Sequence, residues 1–469
     1  MGLMSRVVGG TVAAALVVTG GYAWADAHDF VPGVLTIGPE PQPPAPFPTV
    51  AAAVPGPDPA DILSVLDPAA AVPSVGVVQA RVDAMVTDAR LGTSVGIVVA
   101  DALTGEVLGS TTPDTGRIPA SIQKLFTAVA ALSGPGYDRV LTTTVTQGAP
   151  GTIALVGGGD MMLAAGAGDP TAVNGRAGLD DLAAGAAKEL ALTGQTSVSL
   201  VLDDSLFTGS PLGPWSPDQP TLGFGAPVAA LAVDTGRVEP SIYAQRQADP
   251  ALSAAEMFVT ALASHGITVT GPPVRGTSAS DARVLSSVES APLGELVAYL
   301  LQTSDNTITE VVGRTVAIDA GLPGSFEGST RAVILELDRL GLDTTGLVLV
   351  DCSGLGDGSR APASLFADVL RLTADPAHPE LRPVAVDLPI AGLQGTLAER
   401  FVASDARGLV RAKTGSLPGV TSLAGTVITL DGRQLVFVVM ADQTPVGGQW
   451  APRQAIDAFV AGLASCGCR

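Results

Sequence analysis

Twelve prolines fall between residues 32 and 73 of this 469-residue chain, densest from Pro39 to Pro48. Each proline fixes φ and removes a backbone donor, so the stretch builds neither a helix nor a central strand. It reads as an extended, semi-rigid spacer. The folded body must therefore come from residues after about Val75, which leaves room for more than one core. Before the spacer, Arg6 is followed by apolar and small residues from Val7 to Ala25, ending in Ala23-Trp24-Ala25 and Asp26. That is the pattern of an export signal with a cleavage site, so an exported protein is expected. The run is about 19 residues long, which also suffices for an uncleaved membrane anchor. No cysteine follows it, which removes lipid attachment.

Within the body, Ser94–Ala100 reads as a strand, Asp101–Glu106 as a turn and Val107–Ser110 as a returning strand. Residues 119–132 place Ile122, Phe126 and Val129 on one stripe and read as a helix. Further on, Leu409–Thr414, Val420–Leu430, an Asp431-Gly432 turn and Gln434–Met440 form an antiparallel meander, followed by a helix over Ala451–Leu463. Together these describe an antiparallel sheet covered by helices. Residues 148–289 alternate short strand-like and helical runs and read as an insertion. The expected fold class is α+β and multidomain. It has a segment 1–25 (signal or anchor), a linker 26–74, one domain made of 75–147 and 290–469, and a mixed α/β domain at 148–289.

Only three lysines occur, Lys124, Lys188 and Lys413, against 22 arginines. A chain that uses arginine for plain positive charge keeps lysine where a proton must come and go, because guanidinium stays protonated. Two of the three sit in short motifs. Ser121-Ile-Gln-Lys124 opens the helix at 119–132, and positions i and i+3 share a helix face, so the amine can reach the hydroxyl. Such a lysine serves as the base of a serine nucleophile when its pKa is lowered. The helix start also offers free backbone N–H groups to a developing oxyanion. Ser304-Asp305-Asn306 supplies a hydroxyl that can relay a proton to a leaving amine and an amide that can hold a peptide carbonyl. Lys413-Thr414-Gly415 begins the meander, where a cation beside a hydroxyl suits a terminal carboxylate and glycine clears the strand edge. The amide of Ser416 is the candidate second oxyanion donor. Each motif alone is common surface or turn chemistry; their order and their placement on helix start, loop and strand carry the weight.

The set resembles the low-molecular-mass class C penicillin-binding proteins, the D-alanyl-D-alanine carboxypeptidase/endopeptidase family. The separation of 183 positions from Ser121 to Ser304 exceeds the short one in class A β-lactamases. The resemblance extends through Leu155-Val-Gly-Gly-Gly-Asp160, Val201–Phe207, Asp351-Cys-Ser-Gly-Leu355, Leu388–Leu397 and Val410–Leu417. The insertion is shorter than in members that carry two added domains. The resemblance implies a DD-peptidase/β-lactamase-like transpeptidase domain that cleaves D-Ala-D-Ala ends or cross-links of peptidoglycan stem peptides. It also implies acylation by β-lactams. Ser121 would be the nucleophile, Lys124 its base and Ser304 the relay. Asn306, Lys413, Thr414, Gly415 and Ser416 would bind substrate. Lys413 is expected to act as a nearby cation that helps keep Lys124 neutral.

Other classes fit less well. A net charge of −20 argues against nucleic acid as a partner. His28, His265 and His378 have no metal-ligand spacing, so neither metal nor cofactor is expected. Gly92-Thr-Ser94-Val-Gly96 matches a nucleophile elbow in letters, but a strand follows it where a helix is needed. A class A-like β-lactamase would need a deacylating glutamate, for which Glu336 is the nearest candidate. A non-catalytic peptidoglycan-binding relative would not need all three motifs intact. Cysteines 352, 466 and 468 make an odd count. A Cys352 link to the tail would staple the C-terminus to the body of an exported protein, and three free thiols is the other reading.

Overall fold

The computed structural model describes residues 16–28, 30–31, 35 and 67–467. The chain divides into two compact units, Met1–Ser64 and Val65–Arg469. In the first, residues 16–27 are helical. The start of the expected export segment and most of the proline-rich spacer lie outside the described residues. No helix among the described residues is long and apolar enough to cross a membrane.

In the second unit, α1 (Val75–Val86) buries Val78, Val82 and Met85, which share one helix face. The hairpin of β1 (Val95–Asp101) and β2 (Val107–Thr111) follows. A 3₁₀ turn, Ala120–Gln123, leads into α2 (Lys124–Ser133), in which every residue from Lys124 to Leu132 is buried. A helix covered on all sides belongs in the middle of a core. Accordingly Phe126 stacks on Phe366 with ring centroids 4.2 Å apart.

The chain then builds a second sheet from β3 (Thr142–Gln147), β4 (Thr152–Val156), β5 (Ser197–Asp203), β6 (Thr268–Val269), β7 (Val274–Arg275) and β8 (Val284–Glu289), in the order β6-β5-β4-β3-β8 with β7 also on β5. Strand β3 is antiparallel to β4 and β8, whereas β5 runs parallel to β4, β6 and β7. The parallel pairs need crossovers. These include α3 (Leu179–Leu192) and α4 (Pro250–Ser264), whose Leu182, Leu190, Phe258 and Leu262 pack on Val145, Leu155, Leu200 and Leu202.

The first sheet is completed from the other end of the chain. After α5 (Leu293–Thr303), α6 (Asn306–Asp319), α7 (Phe326–Arg339) and α8 (Ala363–Leu372) come β9 (Val410–Leu417), β10 (Val420–Ile428), β11 (Gln434–Ala441) and α9 (Trp450–Ala464). Strand order is β2-β1-β11-β10-β9, with every neighbouring pair antiparallel. Side chains alternate across a strand. Val436, Val438 and Met440 join the core around α2 and α8, while Leu435, Phe437, Val439 and Ala441 join the core of α1 and α9. Helices on both faces explain why β1 is buried at all seven positions. Strand β9 pairs with one strand only, β10; its other edge is bridged at Arg411 to Ile390, and from Lys413 onward it borders the site described next.

The staple expected between Cys352 and the tail is not formed. Cys352 is a free, fully buried thiol, and Cys466 is disulfide-bonded without it. Burial, and then the neighbouring Glu310 and Asp351, push the Cys352 thiol well above its ordinary range. A thiol that is neither exposed nor ionised does not react. Cys352 will stay unlabelled by a disulfide-exchange reagent in the native protein and will label on unfolding in denaturant.

Candidate active site

Three segments converge beside the edge of β9: the turn that opens α2, the loop between α5 and α6, and β9 itself. The turn is held from several sides. The Ser422 hydroxyl of β10 donates to the Pro119 carbonyl at 2.7 Å. Ala120 takes a positive φ of 50°, unusual for a residue with a side chain. A Cβ built on Gly354 would meet the Ala120 carbonyl at 2.1 Å, so only glycine lets that loop come so close. Gly415 plays the same part on β9, where a Cβ would lie 2.1 Å from Ser422 Oγ and 2.7 Å from the Pro119 carbonyl. Gly415→Ala must therefore push β9 away from the Ser121 turn. We expect a folded protein destabilised by about 1–3 kcal/mol. Its acylation rate should fall roughly 100-fold, as a misplacement near 1 Å would cause; penicillin-labelling kinetics and a melting curve check both.

The lysine amine of Ser121-x-x-Lys124 sits at the centre. Its Nζ lies 3.0 Å from Ser121 Oγ, 2.7 Å from Asn306 Oδ1 and 2.8 Å from the Ser353 carbonyl. Asn306 is held in that sense because its Nδ2 donates to the Phe224 carbonyl at 2.8 Å. Burial pushes Lys124 down to about 8, against the pull of Asp351, Asp305 and Glu310. Lys413 Nζ donates to Ser304 Oγ at 2.8 Å and to the Thr414 carbonyl at 3.0 Å. Burial, and then the Lys124 charge, holds Lys413 well below the usual lysine range. This qualifies the expectation of Lys413 as a nearby cation that helps keep Lys124 neutral. Desolvation is the first cause for Lys124, and Lys413 is itself depressed.

Ser304 ends α5 in the left-handed region, φ 61° and ψ 28°, which aims its hydroxyl back into the cleft. Asp305 caps α6, its carboxylate accepting from the Ile308 amide at 2.9 Å. On β9, Thr414 Oγ1 donates to Thr396 Oγ1 at 3.0 Å, and Ser416 Oγ accepts from Arg453 at 2.9 Å. Ser121, Ser304, Asn306, Thr414 and Ser416 are each partly accessible, while Lys124 and Lys413 are fully buried.

A supporting layer escaped the motif reading. The Ser353 carbonyl that accepts from Lys124 belongs to a loop wound around Asp351. That carboxylate accepts from the Gly354, Leu355 and Gly356 amides, the Ser353 hydroxyl and the Trp215 indole. Glu310 Oε1 accepts from the Cys352 and Ser353 amides, both at 2.9 Å. Burial pushes Glu310 up to about 8, with Asp351 adding to the shift and Arg314 opposing it. The stretch Asp351–Leu355 was visible in the sequence as a motif, but nothing in it showed which backbone oxygen would meet the lysine. The β-lactamase candidate Glu336 is paired with Arg339 on α7, and Arg339 also reaches Ser133, at the far end of α2 from Ser121. The ten-residue helix α2, about 15 Å long, separates that end from the Ser121 turn.

A sequence profile described as the D-Ala-D-Ala carboxypeptidase 3 (S13) family matches residues 78–252 and 244–465. A carboxypeptidase of Mycobacterium tuberculosis is 36% identical over 409 residues, 85% of this chain and 86% of its own length. Carboxypeptidase DacB of Mycolicibacterium smegmatis is 36% identical over 468 residues, 97% of this chain and 94% of its own. The crystal structure of penicillin-binding protein 4 (DacB) from Haemophilus influenzae superposes with a TM-score of 0.68 at 23% identity, over 81% of this chain and 98% of that one. That likeness concerns the fold, which is the α+β, helix-covered architecture expected. With most of the chain matched by profile and by relatives alike, it belongs to the D-Ala-D-Ala carboxypeptidase 3 (S13) family.

Proposed function

We propose that this serine-type D-Ala-D-Ala carboxypeptidase acts on peptidoglycan stem peptides through an acyl-enzyme on Ser121. The observation that carries the proposal is the placement of Lys124 Nζ 3.0 Å from Ser121 Oγ. A neutral amine has two hydrogens and one lone pair. Asn306 Oδ1 and the Ser353 carbonyl occupy the two hydrogens, which leaves the lone pair for the Ser121 proton. As Oγ attacks the carbonyl of the penultimate D-Ala, Lys124 takes that proton. The amides of Ser121 and Ser416 are the candidate donors to the oxyanion. The proton held by Lys124 then passes through the Ser304 hydroxyl, which accepts from Lys413, to the departing D-Ala amine, and Lys124 is neutral again. Water then cleaves the Ser121 ester.

The terminal carboxylate is read by Thr414, Ser416 and Lys413 on β9, with Asn306 holding the peptide. An entering carboxylate favours the charged form of Lys413, so the cation is at full strength when the site is occupied. β-Lactams, as mimics of the D-Ala-D-Ala end, acylate the same serine and inhibit. Peptide cross-links that present the same end are a second substrate class, which would make the enzyme an endopeptidase too. Because the wall lies outside the membrane, the enzyme works there, carried by the segment at 1–25. Incubation with a purified pentapeptide muropeptide should release D-alanine and leave the tetrapeptide, followed by mass. A folded, penicillin-reactive protein that releases none would overturn the carboxypeptidase reading, and rapid nitrocefin turnover would restore the β-lactamase one.

A further inference from the structure

The inserted region touches the Ser304–Thr307 segment at three points, and two are plain scaffolding. The Phe224 carbonyl accepts from Asn306 Nδ2, and the Ala226 amide donates to Thr307 Oγ1 at 2.9 Å. The third is a charge. Arg237 Nη2 lies 3.1 Å from Asp305 Oδ2, with the two side chains only 10% and 5% exposed. The opposite side of the guanidinium pairs with Asp234 at 2.8 Å, and Asn174 Nδ2 donates to the same Asp234 oxygen at 2.6 Å. Asp234 and Thr235 are consecutive non-glycine residues at positive φ, 44° and 53°, and Arg246 donates to Thr235 Oγ1 and its carbonyl beneath them. Strained backbone of this kind persists only where its surroundings over-determine it. Here the strain aims Arg237 at the middle residue of the second motif.

We propose that Arg237 is a positioning residue for the reaction, holding the Ser304–Asn306 turn through Asp305 and offsetting the negative charge that Asp305 presents to Lys124. The proposal rests on the roles given above to Ser121 and Lys124. Lys124 faces three carboxylates, Asp351, Asp305 and Glu310, and one amine, Lys413. Of the three, Asp305 alone has its cation supplied by the insertion; Asp234, Tyr299 and Arg246 complete the surroundings of that cation. Without Arg237, Asp305 would stabilise the protonated amine more strongly, and Lys124 would become available as a base only at higher pH. The turn that aims Ser304 and Asn306 would also lose its lateral support.

The test is the acylation rate by penicillin across pH in the full-length chain. Arg237→Met should lower the rate roughly 10- to 100-fold and move the midpoint of its rise upward by about half a pH unit or more. Asp305→Asn alone should move the midpoint downward, and Arg237→Met with Asp305→Asn should bring it back near the wild-type value. Arg237→Lys should keep the midpoint while remaining more than about twofold slower, since lysine cannot bridge two carboxylates as a fork. A folded Arg237→Met with unchanged rate and midpoint overturns the proposal, as does a double variant whose midpoint stays shifted. If Arg237→Met does not fold, Arg237→Lys decides: a rate within about twofold of wild type overturns it. Ser121→Ala run alongside separates the two levels. Labelling that survives in Ser121→Ala refutes the assignment of the nucleophile, whereas silent Ser121→Ala with normal Arg237 variants refutes only the part given to the insertion.

Discussion

Ser121→Ala will leave a folded protein that neither binds penicillin covalently nor releases D-alanine. The side chain is small and partly accessible, so its loss opens no cavity of consequence, and thermal stability should change by less than about 1 kcal/mol. The chemical effect is of another order. On the proposed mechanism, loss of Oγ leaves the other groups of the site in place but removes the atom that bonds to substrate. Removal of a serine nucleophile elsewhere costs about six orders of magnitude in turnover. We expect at least four here, read as loss of a fluorescent penicillin band and of released D-alanine. Retained labelling would place the nucleophile on another residue.

Lys124→Ala and Lys124→Arg should each reduce acylation by about 10²–10⁴-fold, the range for loss of a general base. Arginine fails for a different reason from alanine: it keeps the charge and the donors but holds its proton. The wild-type pH dependence tests the same group without mutation. Burial lowers Lys124 to about 8, and only the neutral amine accepts a proton. The fraction able to act therefore grows with pH, so the acylation rate should climb about tenfold per unit below pH 8 and level off above it. In Lys124→Arg that climb should be absent. A wild-type profile flat between pH 6 and 9 would exclude a lysine base.

How far the sequence foretold this site follows from where each group gets its meaning. Ser121 and Lys124 share a turn, so their meeting was a matter of helix geometry. The strands at both ends alternate or run continuously apolar, which is why β1, β9, β10 and β11 were anticipated to within a few residues. The supporting groups were not readable in the same way. Arg237 lies in Val-Asp-Thr-Gly-Arg, an ordinary turn sequence, and acquires a partner only because that turn folds against Asp305. Nothing in the letters around Glu310 marks it; that it is fully buried beneath the Ser353 amide depends on a loop more than forty residues away. Strand β3 (Thr142–Gln147), rich in threonine, has too weak an alternation to announce itself as a strand. The depressed state of Lys413 is a property of burial, and burial is set by the whole fold.

The neighbours β1 and β11 carry a consequence for biosynthesis. Val95 through Asp101 must pair with Leu435 through Ala441, and within the sheet β10 and β9 follow β11. Pairing between segments so distant along the chain is slow, because a very long loop has to close before any contact rewards it. A ribosome that has delivered the Ser121 turn has not yet made the strand that carries Lys413, nor the one that links it to the rest. The reactive hydroxyl and its partners thus cannot assemble before β11 has been made, and the hydrolase stays harmless until that strand has emerged.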